Sequence, residues 1–311
     1  MAYVSYGTYR NRRMRRFKKP RTTRKRAPVR RRRTYRKRRM STKSILNKTS
    51  RKKRNDMLTY SNTANDGTLQ PTVSKQPLNV RANSTFVSFW CATAMDIKRG
   101  GGYNTIADVS ARTSTTCYMR GLSENWRIQT SSGVPWFHRR ICFTVTDAVF
   151  AVYRQASPLV SQTTFIDING EGMQRMLENY AEGSDSMVAP FGYYTEVLFK
   201  GQRNTDWNDF ITAKVDDKRV KVKYDRVRTI TSGNSNGTVR NFKFWHPMNS
   251  NLTYDDDVTG EETGTSNYYA AETNQKMGNY MICDIIQPGA GGTATDLFRV
   301  SAEATLYWHE K

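Results

Sequence analysis

The sequence predicts an all-β body of two packed antiparallel sheets, with one short inserted helix and a basic N-terminal arm. Three observations lead there. Apolar residues recur with period two over several short stretches, the pattern of strands with one buried face. Turn-forming clusters and long polar loops separate these stretches, which suits a β sandwich. The charge is also divided unevenly. Of 50 Lys+Arg and 27 Asp+Glu, residues 1–54 hold 25 cations and no acid, so the rest of the chain carries 25 basic and 27 acidic residues. The net charge of +23 is therefore +25 from the arm and −2 from everything else.

The arm comes first. Its basic runs repel themselves, Pro20 and Pro28 interrupt any helix, and apolar residues are too sparse to offset chain entropy, so it is expected to be disordered when free. A polyanion is its expected partner, because each Lys or Arg that meets a phosphate releases a condensed counterion. The candidate nucleic-acid contacts are Arg10, Arg12, Arg13, Arg15 and Arg16, then Arg24, Lys25 and Arg26. Four consecutive arginines follow, Arg30, Arg31, Arg32 and Arg33, then Arg36, Lys37, Arg38 and Arg39, and finally Arg51, Lys52, Lys53 and Arg54. Tyr3, Tyr6, Tyr9, Phe17 and Tyr35 are interleaved with this charge. An aromatic ring stacked on an unpaired base is worth about 1–3 kcal/mol, which tilts the arm toward single strands. A transit peptide would need an amphipathic helix that four consecutive arginines and two prolines do not make, and a membrane anchor would need an apolar face. The clusters at 30–33 and 51–54 also read as nuclear-import signals, making an import receptor an expected partner.

Residues 55–80 are polar, contain Pro71 and Pro77, and read as a linker; residues 81–311 read as the sheet domain. Within it Phe86-Val87-Ser88-Phe89-Trp90-Cys91 has the character of a strand buried on both faces. Residues 116–130 form a second strand, weakened by Gly121. Ile141, Phe143 and Val145 alternate with Cys142, Thr144 and Thr146, and the apolar run continues through Tyr153. Met173, Met176, Leu177 and Tyr180 lie at i, i+3, i+4 and i+7 between Gly172 and Gly183, which predicts the one helix, its stripe packed on the core. Strands are expected again at 193–199, 209–215, 219–230, 239–245 and 281–286, with a polar, acidic excursion over 247–276. In the last strand, Phe298, Val300, Ala302, Ala304, Leu306 and Trp308 alternate with polar partners, and the strand is expected to be central.

In the 219–230 strand, Val220, Val222 and Tyr224 fall on one face, and Arg219, Lys221 and Lys223 on the other, with Arg226 and Arg228 following. That row is a candidate folded contact for nucleic acid; a solvated face is the competing reading.

Catalytic and metal motifs find no support. His138, His246 and His309 are far apart in sequence, each beside an aromatic, and read as structural. No G-x-S-x-G elbow occurs, and Gly289-Ala290-Gly291-Gly292-Thr293 lacks the lysine and helix of a phosphate loop. Asp255-Asp256-Asp257 with Glu261 and Glu262 match no EF-hand and read as an acidic solvent loop. Cys91, Cys117, Cys142 and Cys283 form no C-x-x-C pair and are expected to be buried free thiols. No enzyme activity and no cofactor is expected, and no stretch approaches the ~18 apolar residues of a membrane span.

Three segments resemble one family. Gly133-Val134-Pro135-Trp136-Phe137-His138-Arg139-Arg140, Val222-Lys223-Tyr224-Asp225-Arg226-Val227-Arg228-Thr229-Ile230 and Leu306-Tyr307-Trp308-His309-Glu310 are similar to genomovirus capsid proteins, the gemycircularvirus-like group of circular single-stranded DNA viruses, with a likeness to the Sclerotinia hypovirulence-associated member. The segment around Tyr224-Asp225-Arg226 more distantly resembles geminivirus capsid proteins. The resemblance implies an eight-stranded viral jelly roll of two four-stranded antiparallel sheets. It also implies a homo-oligomeric T=1 icosahedral shell of about 60 copies around a single-stranded DNA genome, located in the virion and the host nucleus. In that setting the loops at 154–170, 231–238 and 247–276 would join subunits, and the acidic loop would be an outer recognition surface. From the residues alone, a monomeric basic-tailed nuclear or ribosomal nucleic-acid-binding protein is the alternative.

Overall fold

The computed structural model of the chain describes residues 40–146, 150, 164–181, 185–260, 262–272 and 277–311. The arm contacts from Arg10 to Arg39, residues 154–163 of one long loop, and most of the apolar run after Thr146 lie outside them. The chain divides into a unit ending at Ile45 and a unit running from Leu46 to Lys311. A short helix, α1 (Thr42–Thr49), is followed by β1 (Arg51–Thr63), β2 (Leu69–Ser74), β3 (Leu78–Arg81) and β4 (Phe86–Cys91). Next come the small hairpin of β5 (Lys98–Arg99) and β6 (Gly102–Tyr103), then β7 (Thr116–Thr130), β8 (Trp136–Val145), β9 (Ile166–Ile168) and β10 (Gly172–Leu177). The second helix, α2 (Asp185–Leu198), precedes β11 (Lys221–Ile230), β12 (Val239–Thr253), β13 (Asp257–Thr259), β14 (Glu262–Thr265), β15 (Asn279–Pro288) and β16 (Leu297–Glu310).

Two sheets carry the architecture. One has the order β12-β7-β16-β1-β10-β9, with β2 joined to β1 and β3 to β16; the other has the order β11-β8-β15-β4. Setting aside β2, β3, β9 and β10 and numbering β1, β4, β7, β8, β11, β12, β15 and β16 in chain order, the two sheets read 6-3-8-1 and 5-4-7-2. Those connections cross between layers as in a double Greek key, so the body is an all-β, jelly-roll-like sandwich. The pairing is antiparallel except where β1 meets β10, and the larger sheet has eight strands rather than four. Strand β16 is central, flanked by β7 and β1, and its alternation is clean: Phe298, Val300, Ala302, Ala304, Leu306 and Trp308 are all buried. β4 is buried on both faces, as its apolar, aromatic-rich run predicts.

Five expectations are corrected. Residues 55–80 are not a linker: they form most of β1 and all of β2 and β3. The sheet also begins inside the arm, because Arg51 to Arg54 pair in register with Glu310 to Tyr307. The helix expected from Met173 to Tyr180 is strand β10; Met173, Gln174, Arg175, Met176 and Leu177 are all buried, so both faces face protein and helical spacing has no meaning there. Conversely, the strand expected at 193–199 is largely the end of α2. The one expected at 209–215 is a turn-rich segment whose Phe210 packs on Trp207 and Phe199, with a single bridge at Val215.

The space between the sheets is not purely apolar. Glu124 on β7 accepts from Arg140 Nη1 at 2.5 Å and Arg175 Nε at 2.9 Å. Asp284 on β15 accepts from Arg140 Nε at 2.8 Å and Arg175 Nη2 at 2.6 Å, and its Oδ1 lies 2.9 Å from His138 Nε2. None of these side chains exceeds 1% exposure. The guanidiniums also lie over aromatic faces, Arg140 4.3 Å from the Trp126 and Phe244 centroids and Arg175 4.2 Å from Trp90. Burial, then the Arg140 charge, lowers the neighbouring His246 to about 4, and burial lowers His138 as well, so both histidines are neutral at pH 7. Two cations thus balance two anions. Glu124 and Arg175 belong to the larger sheet, Arg140, His138 and Asp284 to the smaller, so the network ties the layers together.

All four cysteines are free and buried. Asp256 does not fit the reading of 255–257 as a solvent loop. It is 2% exposed and grips Arg112 at 2.5 and 2.9 Å, while Arg112 lies 3.9 Å over the Tyr254 ring. Among the described residues no group of three or more His, Cys, Asp or Glu is arranged to hold a metal ion, and no helix is long and apolar enough to cross a membrane.

Candidate nucleic-acid interface

Two of the expected basic groups lie within the described body. In the first, on β1, alternation separates neighbours that look equivalent in sequence. Arg51, Lys52 and Arg54 are exposed, whereas Lys53 points inward. Lys53 Nζ donates to Ala111 O at 2.8 Å and Thr113 Oγ1 at 3.0 Å, and lies 3.1 Å from Glu310 Oε2. With both partners 3% exposed or less, Lys53 is a structural cation, which corrects its assignment as a phosphate contact. Arg54 shares its charge with Asp56 at 3.4 Å across open surface.

The second group lies on β11, an edge strand of the smaller sheet. Arg219, just before it, donates to Glu196 O at 2.9 Å. Lys221 and Lys223 are exposed, but the register shifts between Val222 and Tyr224, so the strand bulges there and the expected single row of Arg219, Lys221 and Lys223 is broken. Val222, expected to share a buried face with Val220, is itself 36% exposed. Partial burial first, then the adjacent Lys221 charge, lowers the Lys223 pKa. Arg228 is turned inward: it donates to Tyr224 Oη at 2.7 Å and lies 4.8 Å from the Phe244 centroid. The edge therefore offers two or three separate cations, a site for loose phosphate contact and not a groove. It also opposes strand addition, since charged edges resist pairing with another chain.

A third basic surface escaped the sequence reading. On the larger sheet, the side chains turned away from the smaller sheet include Lys52 and Arg54 on β1, Arg120 and Arg127 on β7, Lys243 on β12 and Arg299 on β16, all exposed. Most alternate with buried neighbours, so the signal was available in the period-two pattern; what was missing was the strand order that brings four strands' cations to one face. Exposed acids among these positions are Asp56 and Glu303.

No protein-family model and no curated protein matches the chain. Among solved structures, it has a likeness to the unassembled KI polyomavirus VP1 pentamer at 11% identity, with 85% of this chain and 95% of that chain covered and a TM-score of 0.13. That score carries no argument. The fold assignment stands on the strand order above.

Burial pushes the Cys91 thiol up to about 11 and raises the other three above the usual thiol value, so none is a thiolate at neutral pH. The histidines at 138 and 246 face one another's network, away from solvent, with no exposed nucleophile beside them.

Proposed function

We propose that the chain is the structural subunit of a small single-stranded DNA virus, an eight-stranded viral jelly roll that self-assembles into a T=1 shell and packages the genome through its basic arm. The division of charge carries this reading: +25 within residues 1–54, joined to a remainder of −2. About 60 arms in one shell would bring roughly 1,500 positive charges, matching the phosphates of a genome of a couple of kilobases. A solubilising tail or a monomeric nucleic-acid-binding protein has no need of that quantity. The jelly-roll-like strand order supports the proposal, because capsid subunits are a common use of that architecture. The similarity of residues 133–140, 222–230 and 306–310 to genomovirus capsid proteins supplies the DNA class, the virion and host nucleus as locations, and an import receptor as partner. In this reading the protein is not an enzyme and uses no cofactor.

The test is a deletion that stops short of β1. Removing residues 1–39 leaves the described body intact, and is expected to abolish retention of nuclease-protected nucleic acid while the circular dichroism of the sheets is unchanged. Undiminished retention by the truncated protein would overturn the arm's role.

A further inference from the structure

The outward face of the larger sheet carries a feature that the packaging arm does not require. Trp245 is 48% exposed on β12, the largest exposed aromatic ring of the body. Its ring is seated by the absence of a side chain on the neighbouring strand: a Cβ at Gly121 would meet Trp245 Cζ2 at 2.8 Å and His246 O at 2.7 Å. On the other side lies Tyr307 of β16, with ring centroids 6.0 Å apart. A tryptophan is thus laid against a sheet, beside a second ring, and still open to solvent.

Pairing places cations and amides around it. Lys243 sits opposite Asn125, and Asn241 opposite Arg127, across β12 and β7. These four line a cleft of about 680 Å³, walled on its far side by Lys75, Gln76 and Pro77. Among the described residues neither Lys243 nor Arg127 has an ion-pair partner. Beyond Tyr307, β16 pairs with β1 so that Arg54 sits opposite Tyr307 and Lys52 opposite His309. Two acids share this face: Glu303 also lines the cleft, and Asp56 accepts from Thr305 Oγ1 at 2.8 Å and lies 3.4 Å from Arg54.

We infer that this face is a second, folded binding surface for single-stranded nucleic acid, with Trp245 and Tyr307 stacking unpaired bases and Arg127, Lys243 and Arg54 holding the phosphates that flank them. The inference deepens the packaging proposal and rests on it. Rings between cations are what a single strand needs, since every base has a π-face and each phosphate a charge. A duplex hides its base faces and gains nothing from Trp245.

The experiment uses the full chain and a 30-nucleotide deoxyoligonucleotide bearing 5-bromouracil, irradiated and mapped by peptide mass spectrometry. Cross-links are expected on the peptides holding Trp245 and Tyr307 as well as on arm tyrosines, and the Trp245 cross-link should vanish with the corresponding duplex. Gly121→Val should displace the ring and remove that cross-link while arm cross-links persist. Trp245→Ala should weaken binding by about 5- to 150-fold with an unchanged salt slope, and Arg127→Ala with Lys243→Ala should lower the slope by about 2. Parallel bromouridine RNA shows whether the surface tells the two sugars apart. Cross-links confined to residues 1–39 on a protein that still binds would overturn this inference and leave the packaging proposal standing. No binding of the oligonucleotide by the full chain would overturn both.

Discussion

Replacing Asp284 by Asn should unseat the charge network between the sheets. The substitution keeps the volume and removes one negative charge. It leaves Arg140 and Arg175 sharing Glu124 alone, an excess of one positive charge at a place where no side chain is more than 1% exposed. Breaking a buried pair from one side costs about 3–5 kcal/mol, because the remaining charge is stranded without water. In a domain of this size 1 kcal/mol moves the midpoint by about 2–4 °C, so the variant should melt about 6–20 °C lower. The assay is thermal denaturation followed by near-ultraviolet circular dichroism at pH 7 and fixed protein concentration, with Glu303→Gln on the exposed face as a control expected to stay within about 0.5 kcal/mol. The pH dependence has a matching sign. Burial, the largest single influence, would raise Asp284 and Glu124, but the charges of Arg140 and Arg175 acting together, joined at Asp284 by the His138 hydrogen bond, outweigh it and hold both below the usual carboxylate range. Their contribution is therefore present above about pH 4 and lost as pH falls through the folded values, and Asp284→Asn should flatten that acid limb. A midpoint within about 2 °C of the parent, with the acid limb intact, would refute the argument.

Other outcomes follow from the same geometry. Lys53→Ala should destabilise the body by about 3 kcal/mol without changing the salt slope of nucleic-acid binding, whereas Lys52→Ala should do the reverse, lowering the slope by about 1; denaturant titration and salt-dependent anisotropy separate them. Burial pushes Glu178, 1% exposed at the end of β10, up to about 8. The folded state then keeps a proton that the unfolded chain loses near 4.3, so this group costs stability increasingly from about pH 4 to about pH 8. Glu178→Gln should raise the melting midpoint more at pH 8 than at pH 5, by an amount worth at most about 5 kcal/mol. The four buried thiols should be silent to Ellman's reagent in the native protein and all titrate after denaturation; rapid reaction of any one in the native state would contradict its burial.

The strands that can be read from sequence are those with one wet face. In β7, β12 and β16 polar and apolar residues alternate because one side meets water, and the burial follows that alternation. β10 fails this test because Arg175 and Gln174 are buried polar residues, satisfied by Glu124, Asp284 and the Leu58 amide on strands more than 50 positions away. Nothing local announces such partners. β1 was hidden by its composition: Arg51-Lys52-Lys53-Arg54 looks like the arm's end, yet Lys53 is held by Glu310 at the far end of the chain. α2 misled in the other direction, since Tyr193, Tyr194 and Val197 favour strands and Pro190 argues against a helix. The charge division was legible in full; the end of the arm was not, because α1 and the start of β1 lie within residues 42–54. The cationic face of the larger sheet was not, because it exists only once β12, β7, β16 and β1 are set side by side.

The central claim is self-assembly, and electron microscopy of the purified full-length chain with single-stranded DNA tests it most directly. The account predicts closed shells of one uniform size that protect the DNA from nuclease. A monodisperse monomer that binds DNA and is released by salt, without closed particles at any protein concentration, would contradict it.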